Sequence, residues 1–121
     1  MTPVPQAASV ARVFVRHQLI SLRYADLIDD ACQITAELVG NAVNATASAG
    51  IATNRYIRLY LGPNAGRPLL EVWDPAPSLP VLKEPDPVSE SGRGLHIVGS
   101  LSAGFGWYEN GGGKTVWALL K

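Results

Sequence analysis

Three places in the sequence set groups where they could do chemistry. The first is Glu37, Asn41 and Asn44, spaced i, i+4 and i+7. On a helix turning about 100° per residue these side chains form a narrow polar stripe, which Asp30 extends. A solvated face of an amphipathic helix accounts for such a stripe as well as a site does. The second is Asp74, which closes the run LLEVWD. Its alternation parity is that of Leu70 and Val72, so if their face is buried the carboxylate stands at the rim of the core and needs a donor. Either a ligand amine supplies that donor, or the aspartate caps the PAPS turn that follows. The third is SGRGLHIVGSL, in which Gly92 and Gly94 flank Arg93 ahead of the apolar-periodic Leu95, Val98 and Leu101. A glycine-rich turn entering a helix N-terminus offers unpaired N–H groups and a positive dipole end to phosphate. Plain loop-to-helix junctions carry glycines too.

The elements that must position these groups are legible as periodicities. Residues 29–45, DDACQITAELVGNAVNA, predict one long helix whose broad apolar arc comprises Leu27, Ala31, Ile34, Leu38 and Ala42, extended by Ile28, Val39 and Val43. Ala25–Asp26 is its expected start, and the small residues of ATASAG with Gly50 its stop. Ahead of it, residues 7–22 predict a first amphipathic helix with Val10, Val13, Phe14, His17, Leu19 and Ile20 as the apolar pattern and Arg12 and Arg16 outside. The leading MTPVPQ is expected to be flexible.

After Thr53 the period changes from about 3.6 to 2. RYIRLYL and LLEVWD predict two strands of an antiparallel hairpin, joined by the turn GPNAGRP. Five of the nine prolines then fall between Pro75 and Pro87, and an aperiodic segment of this length in so small a domain reads as a lid or a flexible loop. FGWYE and KTVWALL around NGGG predict a closing hairpin, with Trp107 and Trp117 as packing residues. His96 reads as structural or surface, and Cys32 as a small core residue.

Composition sets the bounds. The 121 residues suffice for one domain with a hydrophobic core, and 47% are apolar. Ten basic and ten acidic residues cancel, without a basic block, which argues against direct nucleic-acid binding. The single Cys32 forms neither an internal disulfide nor a zinc-type cluster with His17 and His96. With no apolar run near 18 residues and no leader pattern, neither a membrane span nor secretion is expected, and the cytoplasm is the expected location.

Taken in order, a helix with Glu-x-x-x-Asn, a strand ending in Asp, a proline-rich loop, a glycine pair at a helix start and a closing hairpin resemble the ATP-binding domain of the GHKL (Bergerat-fold) superfamily. That fold is shared by histidine-kinase catalytic domains and gyrase-type ATPases. The chain looks most like the small stand-alone anti-sigma-factor serine/threonine kinases. ELVGNAV at 37–43 is similar to the N-box, WDPAPSLP from Trp73 to the first glycine box, GRGLHIV from Gly92 to the second, and GGKTVWALL to the closing strand. The resemblance implies an α+β two-layer sandwich, with a mixed, mostly antiparallel sheet carrying three helices on one face.

It also implies ATP and Mg²⁺ as cofactors. Asn41 matches the metal ligand, in keeping with the preference of Mg²⁺ for oxygen donors. Glu37 matches the residue that activates an acceptor hydroxyl or a water, and Asp74 the carboxylate that receives the adenine amino group. Asn44, Ala76, Gly92, Arg93, Gly94 and Leu95 fall on nucleotide-contacting positions, and Thr115 matches a hydroxyl beside that aspartate. Departures are visible as well. Ala76 and Ser78 stand where the first box has glycines, and Asn44 and Ala45 where a basic residue is common, which gives up a charge-assisted phosphate contact. The implied function is phosphoryl transfer from Mg-ATP to a serine or threonine of an antagonist protein. The alternative is a non-catalytic module that sequesters a regulator. Implied partners are a sigma factor or an anti-anti-sigma protein, with a homodimer in keeping with the family.

Overall fold

The computed structural model describes residues 1–51, 56–76 and 90–121, the side chains of residues 90–95 apart. Among these residues three helices, α1 (Ala7–Ser21), α2 (Ile28–Ser48) and α3 (Glu90–Leu101), pack on a four-stranded sheet of β1 (Arg58–Asn64), β2 (Arg67–Asp74), β3 (Ser102–Asn110) and β4 (Gly113–Leu120). A single 3-10 turn, Ala25–Leu27, precedes α2. The strand order is β1-β2-β4-β3, and every pairing among the described strands is antiparallel. The expected two-layer α+β sandwich is therefore what the chain forms, with no parallel pair among those strands.

Both hairpins follow from their turn residues. Ala65 and Gly66 have φ of 50° and 85°, and Gly111 and Gly112 have 57° and 76°. Two successive positive-φ residues match the twist of flanking strands in a two-residue turn. Ala65 pays for its Cβ there. The helix ends are set by the same left-handed step. Gly50, at φ 69°, lets its own N–H reach the Ala47 carbonyl at 3.0 Å and the Ile51 N–H reach Thr46 at 3.2 Å. This pair of bonds satisfies two orphan carbonyls of α2. Arg23 repeats it after α1 at φ 67°, with Tyr24 bonding back to Leu19 at 2.8 Å.

The core is built as the second helix predicts. Ala31, Ile34, Leu38, Val39 and Ala42 are buried against Leu70, Val72, Val116 and Ala118 of the sheet, with Val15 and Leu19 of α1 and Val98 of α3. The first helix has the expected span but turns a different face inward. Its buried residues are Ala7, Ala11, Val15 and Leu19, whereas Val10, Val13, Phe14 and Ile20 are 43–59% exposed. The buried set recurs at i, i+4, which is the ridge that seats into a neighbouring helix, and alanines on it let α1 and α2 approach closely. The N-terminal residues are also tied down. The Met1 ammonium donates to the Ile57 carbonyl at 2.8 Å, Ile57 N–H donates back to Met1 at 2.9 Å, and Pro3 is buried. Backbone pairing beside β1 thus holds a segment whose composition alone suggests flexibility.

The face of the sheet away from the helices carries Trp73, Trp117, Tyr60 and Tyr108. The Arg58 guanidinium stands 5.1 Å from the Trp73 ring centroid, and Tyr108 donates to Glu71 Oε2 at 2.8 Å. That bond is the main reason the Tyr108 phenol sits above its ordinary range. Trp117 lies against Gly106, so it packs as expected, but Trp107 is 38% exposed on the outer strand.

Candidate functional site

The polar stripe of α2 lies beside the core and not on the outer surface. Glu37 and Asn41 are half-buried, while Asp30 and Asn44 are exposed. Their flank can be fixed from α1. Cys32 Sγ sits 3.9 Å from the Arg12 carbonyl oxygen, so α1 covers the Cys32 side of α2. At ~100° per residue, Glu37 and Asn41 lie about 140–180° around the helix from Cys32. They therefore face away from α1.

Asp74 ends β2 on the helix-covered face of the sheet and is 1% exposed. The parity argument is borne out, and among the described residues two donors satisfy the carboxylate. Lys114 Nζ lies 2.9 Å from Oδ1, and the Ala76 N–H donates to the same oxygen at 2.9 Å. The aspartate thus caps the turn after β2 and also holds a buried ammonium. Burial raises its pKa above 3.8, outweighing the lysine and the Ala76 N–H, which act in the opposite direction. Ala76 is fully buried, and what it supplies is its backbone N–H.

The lysine beside Asp74 comes from the first turn of β4. Asp74 and Lys114 are register partners across β2 and β4, and Lys114 is 4% exposed. Thr115, one residue on, has the other parity. It pairs with Trp73, and its Oγ1 donates to Asn110 Oδ1 at 2.8 Å on the opposite face of the sheet. The hydroxyl expected beside Asp74 is not there, and an ammonium is. The signal for this was in the sequence: in KTVWALL, Lys114 alternates with the buried Val116, Ala118 and Leu120.

Gly113 makes this arrangement possible. A Cβ at Gly113 would collide with the Asp74 carbonyl oxygen and meet Pro75 Cα at 2.9 Å. The start of β4 is thereby pressed against the end of β2, and the Lys114 stem is held over the carboxylate.

The backbone of α3 begins at Glu90, so Gly92, Arg93, Gly94 and Leu95 lie within the helix and not in a loop ahead of it. Nothing further is described of their side chains, and the proline-rich segment with Ser78 lies outside the described residues. His96 is exposed, in line with a surface role, and Cys32 is half-buried. Among the described residues, no cluster of three or more His, Cys, Asp or Glu is arranged to hold a metal ion. No described helix is long and apolar enough to cross a membrane.

Compared with known families, residues 2–120 match the histidine kinase-like ATPase domain. A search of curated proteins finds no match.

Proposed function

Because the chain belongs to the histidine kinase-like ATPase domain family, we propose that it is an ATP-binding regulator of the anti-sigma type. In this reading it phosphorylates a serine or threonine of an antagonist protein. The observation that carries it is the half-buried Glu37–Asn41 stripe on the flank of α2 turned away from α1, in the helix layer that covers the Asp74 face of the sheet. A half-buried carboxylate and amide one turn apart are poorly explained as a solvated face.

The residues fit the family's cofactors in part. The Asn41 side-chain oxygen is a suitable hard donor for Mg²⁺, which takes oxygen ligands and retains waters. Mg-ATP, when bound, supplies the phosphoryl group. The chain's own task is to position and to move a proton. Glu37 would accept the proton of the attacking hydroxyl, one helical turn from the metal-side amide. Gly92, Arg93, Gly94 and Leu95 at the start of α3 would line the phosphate side, where a helix N-terminus favours anions. Asn44, exposed and neutral, would add at most a weak polar contact.

The test is labelling from γ-³²P-ATP in an extract of the source cells. Wild-type protein should label an acid-stable phosphoprotein, since phosphoserine and phosphothreonine survive acid that destroys phosphohistidine. Glu37→Gln should bind ATP as before and leave that protein unlabelled. Equal labelling by both would remove Glu37 from the chemistry.

A second reading has one observation in its favour. Lys114 already holds the carboxylate expected to read adenine, as a domain that works by sequestering a sigma factor or other regulator would permit. Under that reading the extract stays unlabelled and the protein is retained on its partner without nucleotide.

A further inference from the structure

An antiparallel sheet with one face on a core commonly turns a polar face to water. Here the outward face carries Leu69, Trp73, Trp117 and Leu119, all half-buried. Across β2 and β4, Leu69 pairs with Leu119 and Glu71 with Trp117, which sets an aliphatic floor beside a carboxylate and an indole. Glycines on the flanking strands keep this floor open. Gly106 pairs with Trp117, whose ring fills the space a side chain there would need, with atoms 2.9–3.1 Å from the place of a Cβ. Gly62 pairs with Leu69 from the other side, and the Tyr60 phenol folds over it. With both rings laid against glycine, a cavity of about 410 Å³ remains, lined by Asn64, Leu69, Glu71, Tyr108, Trp117 and Leu119. That is the size of a ligand pocket.

Glu71 is the one charged residue among those six. It is half-buried, accepts a hydrogen bond from Tyr108 at 2.8 Å, and has no ion-pair partner among the described residues. A carboxylate offers about four lone-pair sites, so most of its capacity stays open to a donor. The same face already holds one cation on an indole. Two residues along β2, the Arg58 guanidinium stands 5.1 Å from the Trp73 ring centroid.

We propose that this recess seats an arginine side chain of a partner polypeptide, its guanidinium on Glu71 and Trp117 and its stem on Leu69 and Leu119. A planar guanidinium gives a carboxylate two parallel hydrogen bonds and stacks on aromatic rings, whereas a lysine ammonium acts as a point charge. An anionic or wholly apolar occupant would desolvate the carboxylate without pairing it. The arginine belongs to a polypeptide because aromatic surface continues past the floor of the recess. Tyr60 and Tyr108 are 51% and 45% exposed, and aromatic residues of this kind carry the energy of protein interfaces. Glu71 and Asp74 have opposite parity on β2, so this face is the one turned away from Asp74 and the proposal is independent of nucleotide binding.

The experiment is a ¹⁵N NMR titration of the full chain with a capped Val-Arg-Val peptide, its citrulline counterpart, and arginine amide as the free cation. The arginine peptide should bind with millimolar affinity and shift the Trp117 indole and the Leu69, Glu71 and Leu119 amides. Citrulline keeps the shape and loses the charge, and should bind about tenfold more weakly. The arginine peptide should lose about as much on Glu71→Gln, which still offers Tyr108 an acceptor, and about threefold on Trp117→Leu. Equal binding of arginine and citrulline peptides, shifts confined to another face, or no shifts at about 10 mM peptide would overturn the proposal. Arginine amide binding as tightly as the peptide would overturn the polypeptide assignment in favour of a small cation. A wild-type dimer in sedimentation that Glu71→Gln abolishes would give the face to a second copy of the chain, and would overturn it too.

Discussion

Breaking the Asp74–Lys114 pair from one side should cost far more than removing it from both. Lys114→Met keeps the buried stem and deletes the charge, leaving an ionised carboxylate in a site 1% exposed. Loss of one partner of a buried ion pair typically costs about 3–5 kcal/mol, because the other charge stays desolvated. Asp74→Asn should cost a similar amount by stranding the ammonium, although its amide oxygen still accepts the Ala76 N–H. The double variant buries no charge, and replacing a whole buried pair is often close to neutral. We expect it within about 2 kcal/mol of wild type, so the coupling energy of the cycle should be about 3 kcal/mol or more. For a domain of this size each kcal/mol moves the Tm by roughly 3–5 °C, so the single variants should melt some 10–20 °C early.

Urea titration followed by tryptophan fluorescence is the assay. Trp73 reports on this end of the sheet, since its Nε1 donates to the Asn110 carbonyl at 2.9 Å. The pH dependence carries a sign. With Lys114 gone, burial acts on Asp74 without a counter-charge, so its folded pKa lies above the unfolded 3.8. The folded state then binds more protons than the unfolded one between those two values. Stability of Lys114→Met should therefore rise as pH falls through the folded pKa, reach its full gain below 3.8, and be lost again as pH is raised. Single-variant losses below about 1 kcal/mol, or a strictly additive cycle, would refute the reasoning.

Further outcomes follow from the same geometry. Gly113→Ala should destabilise strongly, by about 3 kcal/mol or more, because its Cβ meets backbone that cannot swing away; thermal melts check this. Ala65→Gly and Arg23→Gly relieve a left-handed residue with a Cβ, at φ 50° and 67°, and each should gain up to about 1 kcal/mol in urea titrations. Leu38→Ala, in the α2 core at 2% exposed, should lose about 2–5 kcal/mol. Val13→Ser, on the outer face of α1 at 58% exposed, should stay within about 0.5 kcal/mol; a large loss there would mean that α1 faces the other way.

How far the sequence carries can be judged from particular residues. The long helix, both hairpins and the burial of Asp74 followed from periods of 3.6 and 2 and from turn chemistry, because those signals are local. The α1 face did not, since counting bulky residues overlooks an alanine ridge chosen by the helix it packs on. Lys114 was missed for another reason. A lysine at a strand start reads as solvated, and only its alternation with Val116 and Ala118 marks it as inward-facing. Thr115 came from resemblance, and strand parity overrules it. The extent of α3 was blurred by Gly92 and Gly94, which read as loop but lie inside the helix.

The proposed nucleotide cleft along the Glu37–Asn41 flank of α2 is tested most directly by calorimetry of ATP binding with Mg²⁺ present or chelated. Wild type should bind ATP more tightly with Mg²⁺, and Asn41→Ala should lose at least tenfold with the metal while changing little without it. No binding by wild type, or the same Mg²⁺ enhancement in Asn41→Ala, would contradict it.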